Sequence, residues 1–357
     1  MADRDLVDAT SAAASTTAAR VVVFPMLSVM TSSVAARSDS RSGVDTLRPV
    51  SHSVEIPADL ASRAALGPEW IDWLDRLPSL LVALLDEWRL RPSGTPMNGF
   101  CSIVVPVLTE DGGDAVLKIS FDGDDESAFE ALGLATWDGD GVVRMLRADP
   151  RRRALLLERL EDRDLSDLWD LEACEIVASF YPRLHRPAPK RLPLLTDFVA
   201  PWLDAMADDA AIMPVPRRLV DQALHVGRSL VADPQSVGTL IHGDLHYGNV
   251  LAGGREPWLV IDPKPMSGDS HYEVAPLLWD RWDDVEGDVR GAISRRVGTV
   301  VDAAEFDEDR ARDWVIVRTV LNAHWTVEDA RRARRGLAPS EHEVITRSIA
   351  VAKAVQP

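Results

Sequence analysis

Residues 240–251 read LIHGDLHYGNVL and set two imidazoles, a carboxylate and a carboxamide within eight positions. Three readings suit such a set. His242, Asp244 and His246 form H-x-D-x-H, and imidazole with carboxylate is a zinc-binding combination. Asp244 and Asn249, five positions apart, also have the spacing of a base and a metal-holding amide in a phosphoryl-transfer loop. A polar turn without chemistry is the third.

The zinc reading asks for ligands elsewhere, and His185, His225 and His271 show no ligand-like spacing. Phosphoryl transfer asks for little beyond positioning and electrostatics. One carboxylate orients the attacking hydroxyl and takes its proton, while an amide oxygen and a second carboxylate hold Mg²⁺ on the nucleotide phosphates. Asp262 lies thirteen residues beyond Asn249 and ends the apolar strand WLVID, so a short hairpin would turn it toward the loop. Hard oxygen ligands of this kind suit Mg²⁺. The same chemistry needs a lysine on a strand and a glutamate on the next helix. Lys118 and Glu130 supply both, with Glu126, one turn earlier, as the alternative to Glu130.

These residues need a scaffold that mixes sheet and helix. FCSIVVPVLTEDGGDAVLKIS (100–120) reads as two strands joined by a turn at Asp111-Gly112-Gly113, with Val116, Lys118 and Ser120 on one face. DDESAFEALGLATW (124–137) reads as a helix, and VVRMLRAD and RRALLLERL as two further strands. Ahead of them, Pro57 opens a short helix and LPSLLVALLDEWRL (77–90) is a stronger one. Beyond about residue 164 the pattern turns helical, with apolar residues at three and four spacing over 172–186, 196–207 and 216–232. The strands around the loop interrupt it, and helix resumes from Glu273. Residues 1–52, rich in Ala, Ser and Thr, read as a disordered or loosely ordered tail.

Composition narrows the function further. The net charge of −18 repels nucleic acid and anionic lipid and favours Mg²⁺ or a cationic small molecule. Cys101 and Cys174 form no disulfide framework, which fits a reducing cytoplasm. VVVFPMLSVM (21–30), the most apolar stretch, is too short to span a bilayer and follows acidic rather than basic residues. No obligate protein partner is evident.

HGDLHYGNV followed by LVIDPKPMSGDSHYEVAPLLW resembles the aminoglycoside/hydroxyurea antibiotic resistance kinases, the family that includes streptomycin 6-kinases. AVLKIS, EALGLATWDGDGVVRML and ALLLERL resemble it too, in the right order, and the similarity runs from about residue 54 to 350. The resemblance implies an α+β, protein-kinase-like bilobal fold. A small antiparallel-sheet N-lobe with one key helix would occupy 53–160, and a larger, mainly helical C-lobe with a β insert 161–357. It implies ATP- and Mg²⁺-dependent O-phosphorylation of a small molecule such as an aminoglycoside. Hydroxyurea, a sugar or an amino sugar are alternative acceptors, and a non-catalytic kinase-like binding protein is the alternative class. By that carry-over Asp244 is the base, Asn249 and Asp262 the Mg²⁺ ligands, and Lys118 with Glu130 the phosphate-orienting pair. Leu157 to Leu160 is the hinge that reads adenine, giving Glu158 and Leu160 as nucleotide contacts.

The pattern departs from the protein kinases in two places. SGTPMNGFCS (93–102) lacks a clean G-x-G-x-x-G, and Gly243 stands where protein kinases carry Arg after His. With only about ten residues between Asp262 and Glu273, there is no room for a long activation segment, which favours a small-molecule kinase. In YEVAPLLWDRWDD, Asp280, Asp283 and Asp284 would share one face of a helix beside Trp279 and Trp282. Such a wall would suit a guanidinium or ammonium acceptor, with Glu273 reaching in from the start of the helix.

Overall fold

The computed structural model describes residues 54–285 and 287–356, so the tail expected over 1–52 lies outside the described residues. The chain enters through α1 (Ala58–Ala61), a 3₁₀ turn and α2 (Pro68–Glu87). α2 starts well before the apolar stretch at 77–90, with proline in its first turn, where the missing N–H leaves no intrahelical bond unmade. Its buried face carries Trp70, Trp73, Leu77, Leu81, Leu84 and Leu85.

Six antiparallel strands follow: β1 (Arg91–Pro92), β2 (Met97–Asn98), β3 (Ser102–Leu108), β4 (Asp114–Ser120), β5 (Met145–Asp149) and β6 (Ala154–Glu158). Their order is β1-β3-β4-β6-β5, with β2 also on β3. The turn at Gly112, with φ +84°, closes the β3–β4 hairpin. Alternation gives the sheet two different faces. Ile103, Val105 and Val107 of β3 and Ala115, Leu117 and Ile119 of β4 are wholly buried against the α2 side. Val116, Lys118 and Ser120 point the other way, where Lys118 stands opposite Leu155 of β6. A register slip of one residue would put Lys118 into the aromatic core around Trp70, Trp73 and Phe121.

The second face of the sheet belongs to the larger core. α3 (Glu130–Trp137) crosses it, and Leu134, Trp137, Val142, Val143, Leu155 and Leu157 join the core of the helical part. Main-chain bonds reinforce the join: Val143 N–H donates to Val260 O at 2.8 Å, and Val260 N–H to Gly141 O at 2.9 Å.

The helical part comprises α4 (Asp170–Leu184), α5 (Leu195–Asp209), α6 (Arg217–Ala232), α7 (Pro276–Trp279), α8 (Val289–Ala304), α9 (Glu308–Arg332) and α10 (Pro339–Ala354). α9 is its axis. It packs against α5, α6, α8 and α10 and is buried nearly all round from Trp314 to Val327, as a helix with neighbours on every side must be. The β insert has β8 (Thr239–Ile241), the β9–β10 hairpin (Val250–Ala252 and Trp258–Val260) and β11 (Met266–Gly268). β11 and the two-residue β7 (Arg186–Pro187) flank β8 in a three-stranded sheet that the sequence did not announce. Their runs are too short to carry a period.

The continuous helix expected from Glu273 is broken. α7 ends at Trp279, Asp280 is extended, and Arg281 has a left-handed backbone with φ 48°. A 3₁₀ turn, Trp282–Asp284, follows before α8 begins. Asp280 and Asp283 therefore do not share one helical face with Asp284. Among the described residues no helix is long and apolar enough to cross a membrane.

Candidate active site

The loop at 242–249 links β8 to β9 and is fixed by its own backbone. Gly243 has φ +84°, and a Cβ there would lie 2.4 Å from the carbonyl oxygen of Lys264. Only glycine allows that approach. The close contact, with Lys264 N–H donating to His242 O at 2.8 Å, docks residues 262–264 against the loop.

His242 is wholly buried, and both its ring nitrogens are used locally. Nε2 lies 2.9 Å from Ile261 O, and Nδ1 accepts from Asp244 N–H at 3.2 Å. Burial pushes its pKa down to about 4, so it is neutral at pH 7. An imidazole with both nitrogens engaged by main chain has no lone pair left for a metal, and the H-x-D-x-H zinc reading loses a ligand. His246 caps the 3₁₀ turn Tyr247–Asn249, its Nδ1 3.2 Å from Gly248 N and 3.1 Å from Asp280 Oδ2. Burial disfavours its charged form, but the carboxylates of Asp280 and Asp244 together outweigh burial and raise its pKa.

Asp244 is only 5% exposed. Its Oδ2 accepts from Lys264 Nζ at 2.8 Å, and its Oδ1 is 3.9 Å from Arg318 Nη2. Asn249 donates from Nδ2 to the Asp244 carbonyl at 2.7 Å, which commits its nitrogen and leaves Oδ1 as the atom available to a cation.

Asp262 follows β10 with a left-handed backbone, φ 53°, a region aspartate enters more readily than most residues. Its Oδ1 accepts from Lys118 Nζ at 2.5 Å, and the same ammonium donates to Glu130 at 2.7 and 2.8 Å. Strand, helix and hairpin thus converge on one ion triad, with Glu130 at the first position of α3. Burial pushes the Glu130 carboxyl up to about 7 against the opposing pull of Lys118. Burial also works against an ionised Asp262, yet Lys118 and Lys264 outweigh it and hold that carboxyl below the usual range. Lys118 stays protonated because Asp262 and Glu130 outweigh its own desolvation. Glu126, the alternative partner for Lys118, faces Lys264 instead, 3.7 Å away. Lys264 pairs with Asp244, while the Asp269 carboxylate takes hydrogen bonds from Arg310 and Trp314 of α9 and from His271.

Glu158 ends β6, and its carboxylate accepts from Arg144 N–H at 2.7 Å and Arg255 Nη2 at 2.8 Å. Its side chain therefore braces the connection to the β9–β10 turn. Leu160 lies partly buried beside Gly253.

Two placements correct the expected acceptor wall. Glu273 is completely buried, and its Oε1 accepts from the main-chain N–H of His242 at 2.5 Å and of Gly243 at 3.1 Å. It anchors the loop from behind and does not reach toward an acceptor. Asp280 is bound to His246 and to Arg281 N–H, while Asp283 stands exposed on the following turn. Burial pushes the Glu273 carboxyl up to about 7.

Arg318 was not singled out from the sequence. It is 1% exposed on α9 and donates to Gly243 O at 2.6 Å and to Tyr272 O at 3.2 Å, with its guanidinium 4.2 Å from the Tyr272 ring centroid. Glu273 and Arg318 together hold Gly243 by its N–H and by its carbonyl oxygen. The available signal was one arginine inside the apolar run WVIVRTVLNAHW, since a charge buried in a helix core must have partners.

Residues 87–330 match the family model described as aminoglycoside/hydroxyurea antibiotic resistance kinase. A streptomycin 6-kinase of Streptomyces glaucescens is 40% identical over 289 residues, covering 78% of this chain and 93% of that protein. A hydroxyurea phosphotransferase of Kitasatospora aureofaciens is 37% identical over 320 residues, covering 86% and 89%. Among solved structures, an aminoglycoside phosphotransferase, APH(4)-Ia, in ternary complex with ADP and hygromycin B superposes with a TM-score of 0.51 at 17% identity, covering 77% of this chain and 98% of that one. That likeness establishes the protein-kinase-like fold.

Proposed function

Because the chain belongs to the aminoglycoside/hydroxyurea antibiotic resistance kinase family, we propose that it transfers the γ-phosphoryl group of ATP to a hydroxyl of a cationic aminoglycoside such as streptomycin. The observation that carries the reading is the Lys118 triad, in which one ammonium joins Glu130 to Asp262 within the same site as Asp244 and Asn249. Asp244 is the residue that orients the acceptor hydroxyl and takes its proton. Asn249, through Oδ1, and Asp262 would hold Mg²⁺; both offer the hard oxygen atoms that this ion takes. When bound with ATP, the ion neutralises phosphate charge. Lys118, aimed by Glu130, would meet the phosphates. The Leu157–Leu160 segment reads the base, with residues 53–160 forming the nucleotide lobe and 161–357 the acceptor lobe. The net charge of −18 draws a cationic acceptor toward the protein.

The test is acceptor-dependent ADP release by purified protein with ATP and Mg²⁺, run against streptomycin, other aminoglycosides, hydroxyurea and amino sugars. We expect turnover with streptomycin and a phosphorylated product by mass spectrometry. Turnover with hydroxyurea alone would move the assignment to the other acceptor of the family, and no acceptor-dependent turnover across the panel would overturn it. Loss of turnover on chelation, restored by added Mg²⁺, is the expected metal dependence.

A further inference from the structure

Lys264 stands between the carboxylates on which the proposed reaction depends. Its ammonium donates to Asp244 Oδ2 at 2.8 Å, and its charge also acts on Asp262, two positions earlier. On another side Glu126 Oε2 lies 3.7 Å away. The first distance is that of a strong charge-assisted hydrogen bond; the second is an ion pair without one. Glu126 comes from the 3₁₀ turn that leads into α3, so one lysine links the entrance of that helix to the loop. The Lys264 side chain is 21% exposed and that of Asp244 only 7%, so the lysine is the more open member of the pair. Lys118 does not take this place, since both oxygens of Glu130 and Oδ1 of Asp262 hold it.

An ammonium that did no more than pair with Asp244 would make that carboxylate a poorer base. The arrangement helps catalysis only if the same cation gains more in the transition state than it has at rest. Resting on the functional reading above, we propose that Lys264 is a catalytic residue that neutralises charge on the transferring phosphoryl group, and that Glu126 is the positioning residue that steadies it beside Asp244. In the step, the acceptor oxygen bonds to the γ-phosphorus and the bond from that phosphorus to the β–γ bridging oxygen breaks. ADP leaves with the electron pair, and the hydroxyl proton passes to an Asp244 carboxylate oxygen. Negative charge spreads over the phosphoryl oxygens as the proton reaches Asp244. The attraction that holds Lys264 to Asp244 therefore weakens as the attraction to the phosphoryl grows. Glu126 stays on the other side of the ammonium, 3.7 Å away and too distant to capture it.

Three variants of the full chain test this: Lys264→Met, Lys264→Arg and Glu126→Gln. Lys264→Met should lower kcat by on the order of 10²–10³, the effect of removing one preorganised charge-stabilising donor, with KM for ATP and acceptor changed less than about threefold. Lys264→Arg should recover at least about tenfold of that loss, and Glu126→Gln should lose roughly tenfold in kcat with the same split. Binding supplies a readout apart from turnover. Affinity for ADP with aluminium fluoride, a mimic of the transferring phosphoryl, should fall at least about thirtyfold in Lys264→Met while affinity for ADP alone changes less than about threefold. Equal loss of both affinities, or kcat within about threefold of the parent, overturns the proposal. If Lys264→Met lowers the melting temperature sharply, the same comparison of the two affinities in Lys264→Arg and Glu126→Gln decides. A parent protein that neither turns over nor binds ADP overturns the functional reading itself. An active parent with an inactive Asp244→Asn and a normal Lys264→Met overturns Lys264 alone.

Discussion

Lys118 and Lys264 are two ammonium groups in one site, each set between carboxylates, and they are positioned by different means. Lys118 is placed by regular structure: strand alternation aims it away from α2, and α3 presents Glu130 to it at 2.7 Å. Lys264 is placed by irregular structure: the side-chain-free Gly243 lets residues 262–264 lie against the loop, and Asp244 is reached at 2.8 Å as a result. The first lysine is held by both oxygens of Glu130 with a third bond to Asp262. The second has one short bond and one long pairing. A cation that must cradle a bound phosphate chain benefits from a rigid frame, whereas one that must follow charge as it moves benefits from a looser one.

The comparison breaks first at the carboxylates. Asp262→Asn should reduce turnover below detection, because Lys118 loses its partner across the site and the proposed metal loses a charged ligand. Turnover near that of the parent in this variant would separate Asp262 from the reaction. Asp244→Asn should follow, with kcat lower by on the order of 10²–10⁴, the usual contribution of a positioned base. Glu130→Gln distinguishes the two lysines directly. Loss of its charge-assisted bonds should lower kcat/KM for ATP by about ten- to a hundredfold, mostly through KM. Glu126→Gln is expected to act on kcat instead, and the same KM signature in both variants would make the two lysines equivalent.

The same contrast explains what could be read from the chain. The Lys118–Glu130 pair and the position of Asp262 were legible because each residue sits where a period or a boundary puts it, a strand face, a helix start and a strand end; the bond from Lys118 to Asp262 was not. Helices at 170–184, 195–209 and 217–232 were legible for the same reason, since their buried faces repeat along the segment. The partner of Lys264 was not legible, because it depends on how closely two backbones approach at Gly243. Glu273 was misplaced toward the acceptor for a related reason. Its carboxylate binds main-chain N–H groups, which look alike at every residue and leave no mark in side-chain pattern. Arg318 lies 74 positions beyond Asp244, with nothing between them periodic enough to predict the contact.

Arg318 gives the next test, in stability rather than chemistry. Arg318→Met would leave Gly243 O and Tyr272 O without their donor and Glu273 without its nearest counter-charge. Breaking a buried ionic group in this way costs about 3–5 kcal/mol, which should appear as a clear drop in denaturant midpoint. If the midpoint holds while kcat falls, the arginine acts on the reaction through Asp244, whose Oδ1 lies 3.9 Å from Nη2.

The smallest effect is expected at Asp283, and the reason lies in the break after α7. A continuous helix would have massed Asp280, Asp283 and Asp284 into one acidic face. The left-handed Arg281 ends that possibility, pairs at 2.5 Å with Asp284, and leaves Asp280 to His246. Asp280→Asn should therefore act on kcat, by loosening the imidazole that caps Tyr247–Asn249, with little change in acceptor KM. Asp283 is exposed, and a single exposed charge is screened within about 8 Å at physiological salt. Asp283→Asn should raise KM for a cationic acceptor by less than about fivefold, and less still at higher ionic strength. A larger, salt-resistant rise would mean that the acceptor sits directly on the Trp282–Asp284 turn. Its cation would then be recognised by irregular backbone, the same kind of structure that places Lys264.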